Sequence, residues 1–288
     1  LKIKRKMEED WGDIFKNLQM SAYQQPISKR IQRFAAKQFF AEEKTDIGED
    51  NEDYVENMLR EEEKIAIAGL TNRLPSRIAS LPWLLEVRDI AIHHIVHLGG
   101  RCGVRKITVH AAMIYVDRFL SLVPKKPIIL PIAKLLAFAC LYLAFEEHED
   151  QRGLLASVNC WSYRESIINL KSIVVAQFGG IVAFVTPIQF IKYFLSKFCK
   201  DFSRKKYARI KTVEVIMSTL GDVRLMSLRA FIVGAATTLL ASNPNILTRE
   251  LIKDAINVLP QKWLIPIDEV RSCYDCLLET NRHRLDIS

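Results

Sequence analysis

Three histidines, His93, His94 and His97, are the first side chains whose spacing could do chemistry. On a helix, positions i and i+4 put His93 and His97 on one face, a geometry that two imidazoles can use to hold zinc. No acidic ligand follows at a workable distance, and His94 falls on an apolar stripe, so the cluster reads as surface and core histidines. A zinc-dependent hydrolase is therefore the weakest of the function classes weighed. Cys273 and Cys276 have the spacing of half a zinc knuckle, but no second pair matches them and the sequence around them is helical in period. The six cysteines are scattered through apolar stretches, which points to a reducing compartment and not to a disulfide framework. Lys197, Lys200, Arg204, Lys205, Lys206, Arg209 and Lys211 form the densest run of cations, enough to meet nucleic-acid phosphates. A solvated connector between helices is the commoner role for such a run. Neither metal nor cofactor is expected.

Whatever these groups do, helices must position them. The chain has 288 residues, 49% of them hydrophobic, with only 11 Gly and 10 Pro, and apolar residues recur at helical spacing over most of its length. That predicts an all-α chain large enough for two compact halves. The period predicts helices over Glu49 to Lys64, from Val87 to a stop at Gly99-Gly100, and over Thr108 to Leu120, Ile132 to Phe145 and Glu165 to Phe178. A connector containing Pro75 and Pro82 separates the first two. A second group follows at Pro187 to Phe198, Tyr207 to Leu220, Ser227 to Ala241, Thr248 to Leu259 and Ile267 to Asn281. The division is thus an appended segment 1–48, a first helical unit 49–180 and a second 181–288.

Charge is uneven. The net value is +8, but residues 1–40 carry nine basic and four acidic side chains, while residues 41–63 carry two basic and eleven acidic. The acidic helix bears a stripe of Tyr54, Val55, Met58 and Leu59, which needs a surface to lie on; the first helical unit is the expected one. Ser172 to Ile191 is free of charge over about the length a bilayer needs. Gly179-Gly180 and Thr186-Pro187 interrupt it as helix stop, connector and new start, so no membrane span is expected. The basic start Lys2 to Lys6 runs into acids and not into an apolar stretch, unlike a secretory signal. Such a cluster can serve nuclear import, although in most chains it is a solvated tail.

Tyr115-Val116-Asp117-Arg118-Phe119-Leu120-Ser121 resembles the central helix of the cyclin box. Around it stand Arg88 in the preceding helix and the apolar run Leu136 to Ala144 in the place of the third helix. Val185-Thr186-Pro187-Ile188-Gln189-Phe190, followed by Tyr193-Phe194-Leu195, is similar to the start of the second repeat of plant D-type cyclins. The resemblance spans roughly residues 49–281 and implies two tandem five-helix cyclin-type repeats preceded by an N-terminal helix. It implies no catalytic residue and no small-molecule substrate. Its partner is a cyclin-dependent protein kinase, held in its active conformation in cell-cycle control, with a nuclear location that extends to the cytoplasm. Nucleic acid is not a partner on this reading. The alternative is a cyclin-fold transcription factor whose basic faces grip DNA phosphates.

Carried over position by position, the resemblance makes Arg88 and Asp117 a buried structural ion pair. Val87, Ile90, Ala91 and His94 stand where the family's substrate-docking patch has larger apolar side chains, so the patch is degenerate. The kinase-facing set comprises Tyr54, Met58, Lys134, Glu146, Glu147 and Lys171. Family members have Lys after the third helix and Glu in the fifth. Here Glu146-Glu147 follow Phe145, and an ungapped count back from Gln189 puts Lys171 in the Glu position. The signs are exchanged, which predicts an internal pair between Lys171 and Glu146 or Glu147 and altered kinase contact. The retinoblastoma-binding motif Leu-x-Cys-x-Glu is absent.

Overall fold

The computed structural model describes residues 48–70, 73–123, 130–149, 164–243 and 245–285, and all regular structure among them is helical. Lys2 to Lys6 and the rest of residues 1–47 lie outside the described residues. The α-helices are α1 (Glu52–Ile67), α2 (Leu74–Ser80), α3 (Trp83–Arg101), α4 (Lys106–Leu122), α5 (Leu130–His148) and α6 (Arg164–Gln177). A 3-10 turn at Pro187–Phe190 leads into α7 (Ile191–Phe198), and α8 (Phe202–Ser218), α9 (Val223–Met226), α10 (Ala230–Ser242), α11 (Arg249–Ile256) and α12 (Ile267–Leu285) follow.

Local chemistry explains the ends. Asn51 Oδ1 accepts the Tyr54 N–H at 2.7 Å to start α1, and Glu52 and Asp53 sit in the first turn, where the helix dipole favours carboxylates. The expected connector before α3 is itself partly helical. Pro75 lies in the first turn of α2, where its missing N–H costs nothing, and Pro82 precedes α3. Gly99-Gly100 do not stop α3, which runs on to Arg101; the chain reverses at Gly103, with φ +63°. Gly99 instead permits close helix packing, since a Cβ there would stand 2.7 Å from Val109 Cγ2. The charge-free stretch divides as expected. Gly179 and Gly180, with φ of +61° and +83°, follow α6, and Thr186 opens the 3-10 turn with its N–H 2.7 Å from Gln189 Oε1. Among the described residues no helix is long and apolar enough to cross a membrane.

The apolar faces close around two main cores. Leu84, Ile95, Val116, Phe119, Leu136 and Leu170 belong to the first, built from α3 to α6. Phe190, Phe194, Phe231, Leu239, Tyr274 and Leu277 belong to the second. A smaller cluster of Ile107, Ile188, Ile191 and Ile216 bridges α4 to the start of the second group.

Two expectations need correction here. The α1 stripe lies on the second core, not the first: Val55 is fully buried there and Tyr54, Met58 and Leu59 pack against it, while only Ile65, farther along α1, joins the first core. Opposite charge explains the choice. Glu52 pairs with Lys197 at 3.5 Å, Glu56 with Lys262, and Glu62 with Arg229 at 3.2 Å, all cations of the second group. The other correction concerns the basic run, most of which lies on a helix and not on a connector. Asp201 accepts the Ser203 N–H at 2.9 Å and starts α8 at Phe202, ahead of the apolar pattern that begins at Tyr207.

Candidate functional site

α4 anchors the site, and other segments tie down both of its ends. Glu149, just beyond α5, accepts from the Arg105 N–H at 2.9 Å and the Thr108 hydroxyl at 2.6 Å. At the other end Arg77 donates to the carbonyls of Leu120 and Val123, both at 2.7 Å. A carboxylate at the amino end and a guanidinium at the carboxyl end each meet orphan backbone groups and complement the helix dipole.

Midway along α4, Asp117 meets Arg88 of α3. Nε donates to Oδ1 at 2.8 Å and Nη2 to Oδ2 at 3.1 Å, with side-chain exposures of 0% and 1%. Burial pushes the Asp117 carboxyl up, against the downward pull of the Arg88 guanidinium. Nη2 also donates to the Leu220 carbonyl at 2.8 Å, so the pair inside the first group fastens the second group as well. Tyr115 makes another such tie, its hydroxyl donating to the Val182 carbonyl at 2.6 Å.

The exchanged charges meet. Lys171 Nζ on α6 lies 2.9 and 2.8 Å from the two Glu146 carboxylate oxygens on α5, and 4.7 Å from the centre of the Tyr142 ring. Both side chains are partly exposed, and Glu147 beside them is exposed. The arrangement presents carboxylate acceptors at the edge of α5, while the ammonium is turned inward onto the pair.

The remaining members of the expected kinase-facing set are elsewhere. Lys134 lies about 18 Å of helix rise before Glu146 and is an electrostatic neighbour of His93 and His94. Tyr54 and Met58 are turned onto the second core, where Gln189 Nε2 approaches Met58 Sδ at 3.6 Å. The set is therefore three separate places, of which Glu146, Glu147 and Lys171 form one. The docking patch also changes: Val87, Ile90 and Ala91 are buried in the first core and offer no apolar surface, because the stripe they form faces α4 and α5. Only His94 is half-exposed, and burial, helped by His93, Lys134 and His97, holds it down at about 4. The His93 and His97 rings stack 6.2 Å apart, and among the described residues no group of three or more potential ligands could hold a metal ion.

Sequence reasoning missed Glu149, Arg77 and Glu62. Glu62 accepts from Arg229 and from the Phe231 N–H at 3.2 Å, at the start of α10, and burial raises its carboxyl against the pull of Arg229. Each of these groups meets partners more than 40 residues away, so no local pattern announces it.

Residues 53–173 match the family model described as Cyclin, N-terminal domain. Among curated proteins, Cyclin-D5-2 of Oryza sativa subsp. japonica is 26% identical over 226 residues, 73% of this chain and 59% of that protein. Cyclin-D1-1 of the same source is 25% identical over 214 residues, 70% and 54%. Cyclin-D5-1 of Arabidopsis thaliana is 24% identical over 252 residues, 82% and 74%. The chain thus spans a little over half the length of the first two relatives.

Proposed function

The chain carries a cyclin N-terminal domain and is a divergent relative of the plant D-type cyclins, and from that premise we propose that it is a regulatory subunit that binds a cyclin-dependent protein kinase. In this role it has no catalytic residue of its own. It acts by contacts available only when the kinase's regulatory helix is in the active position, which shifts the kinase toward that state. A nuclear location goes with the role.

The match of residues 53–173 to the cyclin N-terminal domain is the observation that carries this reading. The exchanged pair of Glu146 and Lys171 modifies it. A lysine at the end of the third cyclin-box helix offers ammonium donors to kinase backbone, whereas an ionised Glu146 only accepts hydrogen bonds. Each charge-assisted bond lost is worth about 1.5–3 kcal/mol, or about a ten- to hundredfold drop in affinity. Kinase binding is therefore weaker than for a cyclin with the ordinary signs. DNA binding through the basic run draws no support from the relatives, and Lys197 and Lys211 are already paired with Glu52 and Glu214. Affinity purification of the full chain from its native tissue should bring down a kinase of the cyclin-dependent class. Recovery of DNA fragments without any such kinase would reverse the choice.

A further inference from the structure

The cation-rich run lies on α8, and the outward face of that helix is not all charge. Ser203, Lys206, Tyr207, Ile210 and Glu214 stand at i, i+3, i+4, i+7 and i+11, which puts them on one stripe. Tyr207 and Ile210 are neighbours there, 62% and 41% exposed, and Phe202 at the amino end of the helix is 85% exposed. Ala208, Val213 and Ile216 on the opposite face are buried in the cluster behind it, so α8 cannot turn the exposed side chains inward. One exposed apolar side chain needs no explanation, but a pair one turn apart with a third beside it on a basic helix is a surface suited to being covered.

Charge limits what can cover it. Residues 200–211 hold six cations and one carboxylate, Asp201, which is engaged at the start of the helix. By helical rotation Arg204 and Lys211 border the apolar pair on one edge, and Lys206 and then Arg209 on the other. Lys211 pairs with Glu214 at 3.6 Å, whereas Lys200, Arg204 and Arg209 form no ion pair among the described residues. A second copy of the chain would set one basic face against another. A continuous phosphate backbone would meet Glu214 in the same stripe, where Ile210 gives a base nothing to stack on. The kind of chain that fits is already present in α1, an acidic helix with an apolar stripe that lies on this same group of helices. Its Glu52 is 3.5 Å from Lys197 of α7, the helix that packs beside α8.

We propose that the outward face of α8 docks an acidic, amphipathic peptide segment of a partner protein, with apolar side chains on Tyr207 and Ile210 and carboxylates on Arg204 and Arg209. Tyr and Arg are among the residue types that carry most of the binding energy at protein interfaces, and a guanidinium receives a carboxylate on two parallel donors. The face belongs to the second group of helices, whereas Glu146 and Lys171 belong to the first, so this partner is one other than the kinase.

The probe for a test is a fluorescein-labelled peptide, Glu-Asp-Phe-Glu-Glu-Leu-Leu-Asp-Glu, titrated with the full chain and read by anisotropy. It should bind saturably with a Kd of about 10–100 μM, as a small transient interface does. The same peptide with Gln and Asn for its acids, or with Ser for its Phe and Leu, should bind about tenfold more weakly or worse. Tyr207→Ser with Ile210→Ser should lower affinity by about tenfold or more. Arg204→Gln with Arg209→Gln should lower it about three- to tenfold, a difference that fades in about 1 M salt. None of the four side chains is buried, so melting temperatures should match the parent's; if the first pair melts lower, the second pair decides. Leu251→Ser, half-exposed on α11, should change nothing. Equal binding of the uncharged peptide, no saturable binding, or unchanged affinity in the arginine pair would overturn the proposal. So would tighter binding of oligothymidylate that the same variants weaken, which makes the face a nucleic-acid surface. Self-association abolished by Tyr207→Ser with Ile210→Ser would make the occupant a second copy, and peptide binding that appears only once Glu42, Glu43 and Asp46 are neutralised would make it the chain's own acidic segment; either result overturns the proposal too.

Discussion

Arg88 shows how one side chain can hold the fold without being in itself a stabilising device. A buried ion pair gains little over a well-packed apolar pair, but removing one partner strands the other charge, at about 3–5 kcal/mol. Arg88→Ala or Asp117→Ala should therefore lower the urea midpoint sharply, while Lys205→Ala and Lys206→Ala on α8 should stay within about 0.5 kcal/mol of the parent. Equal shifts for both classes would contradict the assignment. The pairing itself was legible from the resemblance around Asp117, and so was a pair between Lys171 and one of Glu146 and Glu147, of which the structure selects Glu146. The third bond, to the Leu220 carbonyl, left no trace in the sequence because a backbone acceptor has no residue type. His110 supplies a second prediction. Its folded value near 3 lies below the ordinary 6.5, so the unfolded chain binds the proton more readily. Its contribution is thus complete above pH 6.5 and is lost as pH falls toward 3, by about 2 kcal/mol between pH 7 and pH 5. The raised carboxyls of Glu62 and Asp117 act in the opposite sense, so the comparison must be with His110→Phe, whose stability should decline less over that range. Parallel pH profiles for parent and variant would remove the histidine from the account.

The helix that departs most from expectation is α1. Its stripe was readable, because period is local, although its start at the Asn51 cap was not placed, and the surface it lies on is decided by charges more than 130 residues away, such as Glu62 with Arg229. The same limit explains α2, whose Pro75 and the following Pro82 read locally as a connector, and α3, which runs past Gly99 and Gly100, with Gly99 serving packing. Long apolar helices such as α4 and α5 stood out because they are surrounded on nearly every side and read as continuous apolar runs. Because α1 straps the two groups together, two residues only two positions apart, and so on opposite faces of the helix, should differ sharply. Ile65→Ala should cost about 2–5 kcal/mol, since Ile65 is buried in the first core. Ile67→Ala, at 80% exposure, should cost less than about 0.5 kcal/mol. Similar losses at both positions, measured by urea unfolding, would mean that α1 is not seated as described.

At the scale of the whole molecule, the two groups of helices are joined by Arg88 to Leu220, Tyr115 to Val182, and an acidic helix laid on basic residues of the second group. A body fastened in this way presents its first group to a partner as one preset surface. The composition made this partly legible, since an acidic segment stood against a basic remainder, but not which group would receive it. What the surface lacks is the ordinary arrangement of charge at the end of α5. The most direct test titrates the purified chain against a cyclin-dependent kinase that a plant D-type cyclin binds, comparing the parent with the double variant Glu146→Lys, Lys171→Glu. The swap keeps the internal pair and restores the outward ammonium. The account predicts a saturable complex for the parent and about ten- to hundredfold tighter binding, with more kinase activity, for the double variant. No complex with either protein, or one affinity for both equal to that of the ordinary cyclin, would contradict it.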